Sequence, residues 1–551
     1  MPQHQYLGQT ADVAAYLDSV SNATPGDAGT SLLDSVKNQS GFALPKHLAS
    51  SIEHLPDDQA SRVLDSVRIG CAEFKSRHGV DVSADVVEAA IQQGYAATKP
   101  LKSNGNSIVL DSAANSNHSD NGALQANRTI TAIVSAISEA IPFAGYLPVD
   151  IKSNKAQLAI LNHVADSTWG DYAKGSLMDG VSCGGSYAMS VRTVMLKAAG
   201  GTLATSSKFT AENLVSLPGF CDPAKTSVPV LKGRSMLYAN GIPVAFEPAS
   251  SPGTMTGQIT LAGVTYTLAA QINSTTAVLS SVSCTPAPTA DMVITAEAVV
   301  DYEAAPGLAP RVIVEVKTYE MLATAMRIMT GSTIDFSTQL ANELGLDSRS
   351  ESLMAVRTQV ESERHYNALR YVAALGRNLS KEFNFDVATQ KGAKSLDMMW
   401  RDAAPIFSVI DQEMAEATMD HGVTHYYVGK NLAALLQSAP GDVFQTSGIS
   451  GRAGIYRVGR LWGKYEIYYS PKVVEEAADG SWSEMIGVGR SSQPARCPII
   501  LGDAVAPTFM PIAMTGDFSQ NDGLYARNFT SVNPHVPSAL GCARLKLTGL
   551  K

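Results

Sequence analysis

Three stretches of the chain carry residue types at spacings that chemistry can use. Gly180-Val-Ser-Cys-Gly184 matches G-x-S-x-G, in which a serine nucleophile stands on a strained turn between a strand and a helix. Here the polar run Lys174-Gly-Ser-Leu-Met-Asp179 precedes it and an alternating, strand-like run follows, so the serine lacks that corner. A serine hydrolase around Ser182 is the remote alternative; a glycine-rich turn at the base of a hairpin is the expectation. His421 and His425 are spaced like zinc ligands on a helix, but Gly422 and a strand pattern interrupt the helix, and no glutamate lies between them. Gly459-Arg-Leu-Trp-Gly463-Lys464 is one residue short of a phosphate-binding loop and has no Ser or Thr after the lysine. The cysteines, Cys71, Cys183, Cys221, Cys284, Cys497 and Cys542, form no CxxC pair and read as reduced thiols. The expectation is a chain without catalytic, cofactor-binding or metal-ligating residues, and without a cofactor.

The totals agree with a large folded protein. Hydrophobic residues make up 45% and charged residues 17% of 551, enough to build several cores. A net charge of −9 argues against a nucleic-acid binder, which shows a basic balance. The first 30 residues lack the basic-then-apolar pattern of a signal peptide, and no window reaches the ~18 apolar residues of a membrane span. The expected location is therefore cytosol.

The elements are organised around residues 343–376. Ser348 and Glu351 form a capping box, Gly376 stands at the other end as a left-handed stop, and neither Pro nor Gly interrupts the roughly 40 Å of helix between them. Leu353, Val356, Val360, Ala368, Val372 and Leu375 fall at helical spacing, whereas Glu361-Ser-Glu-Arg-His365 is strongly polar. Such a helix reads as a strut that meets other chains. Upstream, Pro56 starts a helix with Ala60, Val63, Leu64, Val67, Cys71 and Phe74 on one face, Ser83 caps a second helix, and 101–127 is rich in Asn and Ser. Between Glu247 and Asp291 no residue is charged, and four short strands are expected around 258–261, 264–268, 277–280 and 292–295, a small inserted β unit. Downstream, a helix over 406–418 with Ile406, Val409, Ile410, Met414 and Ala417 on one face leads to strands at 424–429, 455–461 and 465–469.

Several blocks in this order resemble a known family: Asn342-Glu-Leu-Gly-Leu-Asp347 before a long Glu/Arg helix; a helix, Tyr-Tyr-Val-Gly429 and an Ala/Leu helix; then Met485-Ile-Gly-Val-Gly489, Pro498-Ile-Ile-Leu-Gly-Asp503 and Ala506-Pro-Thr-Phe-Met-Pro511. Together they resemble the major capsid proteins of T-even-type tailed phages over most of 126–550. The resemblance implies an α+β chain with the Hong Kong 97-type capsid fold: a peripheral domain with a long spine helix, an axial domain, an extended loop and an N-terminal arm, here with the small inserted β domain. The implied layout is an arm of short helices and tether at 1–127, the first part of the peripheral domain at 128–170, the extended loop at 171–238 and the insert at 239–302. The peripheral domain resumes with the spine helix at 303–385, followed by the axial domain at 386–484 and return strands at 485–551. Where the family keeps a tight Gly-Tyr-Lys-Gly turn, this chain has Arg490-Ser-Ser-Gln-Pro-Ala-Arg496.

What the resemblance implies for function is self-assembly into hexameric capsomers, with pentamers of the same chain left open, closing a virion shell around double-stranded DNA without sequence-specific binding. Assembly is implied in the bacterial cytoplasm, with vertex, portal, scaffold and decoration proteins and a prohead protease as further partners. A mildly acidic chain suits such a shell, since a basic wall would hold the genome by counterion release. An encapsulin-like container is the alternative within the same fold; the inserted unit and the long arm speak against it. On the spine helix, Arg357, Glu361, Glu363 and Arg364 are the expected contacts with neighbouring subunits, and the segment 248–290 is expected to be separable from its anchoring strands.

Overall fold

The computed structural model describes residues 11–18, 44–53, 55–97, 101–103, 106–108, 129–130, 132–134, 136–138, 140–149, 153–344, 348–449, 454–512 and 519–551. The chain divides into two compact units, Met1–Ile160 with Thr318–Lys551, and Leu161–Lys317.

In the first unit, helices α1 (Lys46–Ile52), α2 (Asp57–His78) and α3 (Ala84–Ala97) precede strand β1 (Gly145–Tyr146) and the start of β2 (Lys155–Ala165), whose residues from Leu161 on belong to the second unit. The chain returns along β3 (Val312–Leu322), which belongs to the second unit up to Lys317 and pairs with β2 in a two-stranded ribbon. It continues into β4 (Thr324–Thr333), α4 (Ile334–Leu344) and the long α5 (Ser348–Leu375). Then follow β5 (Ser380–Asn384), α6 (Leu396–Thr418), β6 (His425–Val428), α7 (Lys430–Gln437), β7 (Phe444–Thr446), β8 (Tyr456–Leu461), β9 (Tyr465–Tyr469), β10 (Trp482–Val488), β11 (Ile499–Ile512), β12 (Ser519–Val532) and β13 (Cys542–Thr548).

A seven-stranded mixed sheet in the order β5-β13-β10-β6-β9-β8-β7 is covered on both faces. Successive strand residues point to opposite sides, so Tyr426, Val428 and Ile467 face a core with Trp400, Phe407 and Met414 of α6, whereas Tyr427, Tyr468 and Ile486 face a core with α5 and the N-terminal helices. That double burial explains why 425–428 reads as an unbroken apolar run rather than an alternating one. The second sheet, β4-β12-β11-β1, is likewise sided: Ile499 and Leu501 belong to the α5 core, and Ile500 packs with Leu158, Ile160, Met321 and Phe529.

The N-terminal helices are packed into that α5 core. Ala60, Val63, Leu64, Val67 and Phe74 of α2, and Val86, Val87, Ala90 and Ile91 of α3, are buried in one cluster with Ala368, Leu369 and Val372 of α5. Val13 and Tyr16 join them, and the Tyr16 hydroxyl donates to the Leu64 carbonyl at 3.3 Å.

The structure departs from the sequence expectation at three places. Gly376 does not take a left-handed conformation; it opens a 3-10 turn, Gly376–Asn378. Its role is close approach, because a Cβ there would lie 2.9 Å from the Ala543 carbonyl oxygen of β13. The helix expected from 406 begins at Leu396, with the Ser395 hydroxyl accepting from the Met398 amide, and carries Pro405 inside. Proline at an exposed mid-helix position is tolerated there because Trp400, Ala403, Phe407, Ile410 and Met414 keep one buried stripe running past it, while Val409 is 45% exposed.

The second unit departs from the expected layout as well. A six-stranded sheet runs Ile242–Phe246, Met236–Ala239, Ile294–Val299, Val191–Lys197, Leu217–Cys221, Asn213–Leu214; a four-stranded sheet runs Thr254–Leu261, Val264–Asn273, Val278–Thr285, Ser207–Lys208. Their inner faces share one core in which Val194, Leu237, Ile294 and Ala296 meet Met255, Tyr266, Leu268, Ile272 and Leu279. The boundary expected between 238 and 239 therefore cuts a sheet: Met236–Ala239 pairs with both Ile242–Phe246 and Ile294–Val299, and Val191–Lys197 pairs with Ile294–Val299. The segments 171–238 and 239–302 fold as one sandwich. Its charge-free stretch starts just after Glu247. Burial would raise that carboxyl, but the amides of Gly233, Gly253 and Ser235 and the Ser235 hydroxyl hold it below its ordinary value.

Candidate functional site

Helix α5 presents two different faces along its polar middle. Val360, Ala368 and Val372 are buried at four- and eight-residue intervals, and Arg364 lies on the same stripe. Its guanidinium turns inward to Asp503 of β11, 2.9 Å away, and the same carboxylate accepts from Gln93 of α3 at 2.8 Å. Asp503 thus ties α3, α5 and β11 together. His365, one residue on, reaches the Tyr427 hydroxyl of β6 at 3.0 Å, and withdrawal from water pushes its pKa down to about 3. Glu363 points out to solvent and Glu361 is half-buried; the side chain of Arg357 lies outside the described residues. Of the four expected contact residues, the structure keeps Glu363 on the surface and commits Arg364 to its own subunit.

Arg490, where the sequence departs from the family's turn, binds the arm to the body. Its guanidinium donates to Asp85 at 2.9 Å, to the Ser83 hydroxyl at 2.5 Å and to the carbonyls of Pro142 and Ala144 at 2.6 and 3.0 Å. Burial would lower its pKa, but Asp85, itself only 4% exposed, holds it above the ordinary value. Neither Asp503 nor Asp85 could be picked from the sequence, because each is one of many acidic residues and its partner lies hundreds of positions away.

Strand β3 shows the opposite character. Val312, Ile313, Val314 and Val316 are 53%, 45%, 57% and 53% exposed. Neighbouring residues of a strand point to opposite faces, so both faces of this ribbon offer apolar side chains to solvent. The run Arg311-Val-Ile-Val-Glu-Val316 carries the signal, since a strand apolar on consecutive positions expects cover on both sides.

The stretches with chemical spacing are placed otherwise. Gly180–Ser182 is an exposed 3-10 turn, so Ser182 stands at no strand-to-helix corner. His421 follows the end of α6 beside Asp420, and His425 is buried in β6 with Nδ1 2.7 Å from the Thr424 hydroxyl. Lys464 pairs with Asp411 at 2.5 Å in the turn between β8 and β9. Among the described residues, no three His, Cys, Asp or Glu side chains are grouped to hold a metal ion, and no helix is long and apolar enough to cross a membrane.

No family model and no curated protein matches the chain. Solved structures similar to it are mostly shells of tailed phages. The jumbo bacteriophage PhiKZ capsid aligns over 74% of this chain and 91% of its own at 8% identity, TM-score 0.34. The capsid of Myoviridae phage XM1 aligns over 44% and 78% at 10% identity, TM-score 0.29. The SrpI encapsulin of Synechococcus elongatus aligns over 43% and 79% at 10% identity, TM-score 0.28.

Proposed function

We propose that this chain is the major capsid subunit of a tailed phage, a structural protein that self-assembles through hexameric capsomers into the shell of a DNA-filled head. The observation that carries the reading is β3, with Val312, Ile313, Val314 and Val316 exposed on both faces of a two-stranded ribbon. Uncovered edges and apolar strand faces are hazards that a lone subunit would blunt, and a second copy of the chain is the cover that the family resemblance supplies. In this reading α5 is the spine helix, the sheet β4-β12-β11-β1 the peripheral frame, and the seven-stranded sheet the axial domain. The sandwich occupies the place of the extended loop. Vertex, portal, scaffold and decoration proteins and a prohead protease enter as partners through the same resemblance.

The test is electron microscopy of purified protein beside a Val312→Glu/Val314→Glu variant. The unaltered chain is expected to form closed shells, and the variant to stay folded and soluble as small oligomers, since both side chains lie at the surface. Shells of ordinary yield from the variant would remove β3 as the carrying contact, and a strictly monomeric wild type would overturn the function.

A further inference from the structure

The first unit contains a cluster that the shell reading does not use. His78, the last residue of α2, has Nδ1 3.1 Å from the Tyr468 hydroxyl of β9. Tyr468 stacks on Tyr427 of β6 with ring centroids 5.3 Å apart, and Tyr427 is bonded at 3.0 Å to His365 of α5. The His425 ring lies 5.9 Å from that of Tyr468, and Phe143 sits edge-on to Tyr427. Three imidazoles and two phenols thus join an arm helix, the long helix and the seven-stranded sheet.

Among the described residues, the charged groups around the cluster leave a proton no partner. From α2, Arg77 is committed to Glu73; from β8, Arg457 reaches in beside His78; from beyond β10, Arg490 faces His425. Among the described residues the carboxylates nearest the cluster already have partners: Glu88 of α3 faces His47 and Gln92, and Glu361 of α5 is likewise engaged. Glu466 of β9 accepts from Arg457 and Arg460, Asp85 of α3 from Arg490, Asp503 of β11 from Arg364 and Gln93, and Asp81 pairs with Lys75. A second positive charge at any of the three rings would meet cations and other imidazoles rather than an acid.

We propose that the His78–Tyr468–Tyr427–His365 chain, with His425 beside it, is an acid-sensitive latch that holds α2 on the body near neutral pH and lets it go on acidification. Loss of water and the positive charges of Arg77 and Arg457 press the His78 pKa down to about 4, and burial presses those of His365 and His425 to about 3. Each ring is therefore neutral when docked and protonates near its ordinary value when released. The undocked state binds more protons, so docking is unaffected above about pH 6.5 and weakens as pH falls from there toward the docked values. At pH 5 the shift is about thirtyfold per histidine released.

Hydrogen exchange of the full-length protein, compared at pH 7.5 and pH 5 after correction for intrinsic rates, reads the latch directly. Peptides covering α2 and α3 are expected to lose protection at least about thirtyfold at pH 5, while those of the sandwich strands do not change. In His78→Gln, which keeps a neutral hydrogen-bonding side chain, the pH effect on α2 should shrink by about the thirtyfold that one histidine supplies. Equal protection of α2 at the two pH values, or an unaltered response in the variant, would overturn the proposal. Should the variant fail to fold, the titration of His78 in the unaltered protein by imidazole C2–H exchange decides instead. A midpoint below 5 supports the latch, and one near 6.5 removes it.

Discussion

Glu363 and Arg364 are adjacent in sequence and opposite in consequence. Arg364 stands four residues from both Val360 and Ala368, so its head is drawn to the buried Asp503, while Glu363 is turned to solvent by one residue's rotation. Removing one partner of a well-enclosed ion pair leaves the other charge stranded. Arg364→Ala is accordingly expected to destabilise the isolated subunit by on the order of 3 kcal/mol in a denaturant titration. Glu363→Lys should leave that midpoint within about 0.5 kcal/mol and instead abolish regular shells in electron micrographs. Normal heads from Glu363→Lys would show that this charge faces no neighbour. The polar centre of the helix was readable as a cluster, but assigning inner and outer members needed the phase of the stripe, which Val360, Ala368 and Val372 supply only when extended through a charged residue.

At the scale of elements, period and end signals located most helices and strands well, because those depend on neighbours in sequence. The α2 face chosen from spacing is the buried one, the four strands expected in the charge-free stretch all form, and α5 ends within a residue of Gly376. What spacing could not give was what each face meets. The arm's sequence reads as helices on a tether, yet Val63, Leu64, Val67 and Phe74 share a core with α5, and Val13, Tyr16 and Leu48 extend it. Fully burying an aliphatic or aromatic side chain stabilises by about 1.5–3 kcal/mol. A variant lacking residues 1–53 is therefore expected to lose about 5 kcal/mol in chemical unfolding, and one lacking 1–98 to be insoluble. The resemblance to T-even-type capsid proteins implies a protease that cuts after Glu in a Leu/Ile-x-Glu context; Ile137-Ser-Glu139 fits it, with Ser51-Ile-Glu53 a looser candidate. Ile137, Ser138, Ser51 and Ile52 are buried, while Glu139 lies outside the described residues. Intact mass of protein from assembled particles should accordingly show a chain that retains α2 and α3, and a new N-terminus well beyond residue 60 would contradict it.

At the scale of the molecule, strand partners far apart in sequence leave no local signal, so the expected boundary between 238 and 239 falls inside a sheet. Alternation at 191–197 says that the segment is a half-buried strand, but nothing in it names 294–299 as its neighbour. The consequence falls on the segment 248–290. Read as a separable module, it could be excised without harm. In the fold its three strands form most of one wall of the sandwich, and Met255, Tyr266, Leu268, Ala270, Ile272, Leu279 and Val282 cover Val194, Leu237, Ala245 and Ile294 of the other. Deleting 248–290 would bare that second wall, an apolar surface of the kind that drives aggregation. The deletion is expected to yield insoluble protein or a second unit without cooperative unfolding. The isolated segment 161–317 should fold alone, since its strands pair among themselves and its two cores lie within it. Calorimetry on the two forms separates the cases. A cooperative transition in the isolated unit and none from it in the deletion fits one sandwich, whereas a deletion that keeps both solubility and the transition would restore the small insert as a domain of its own.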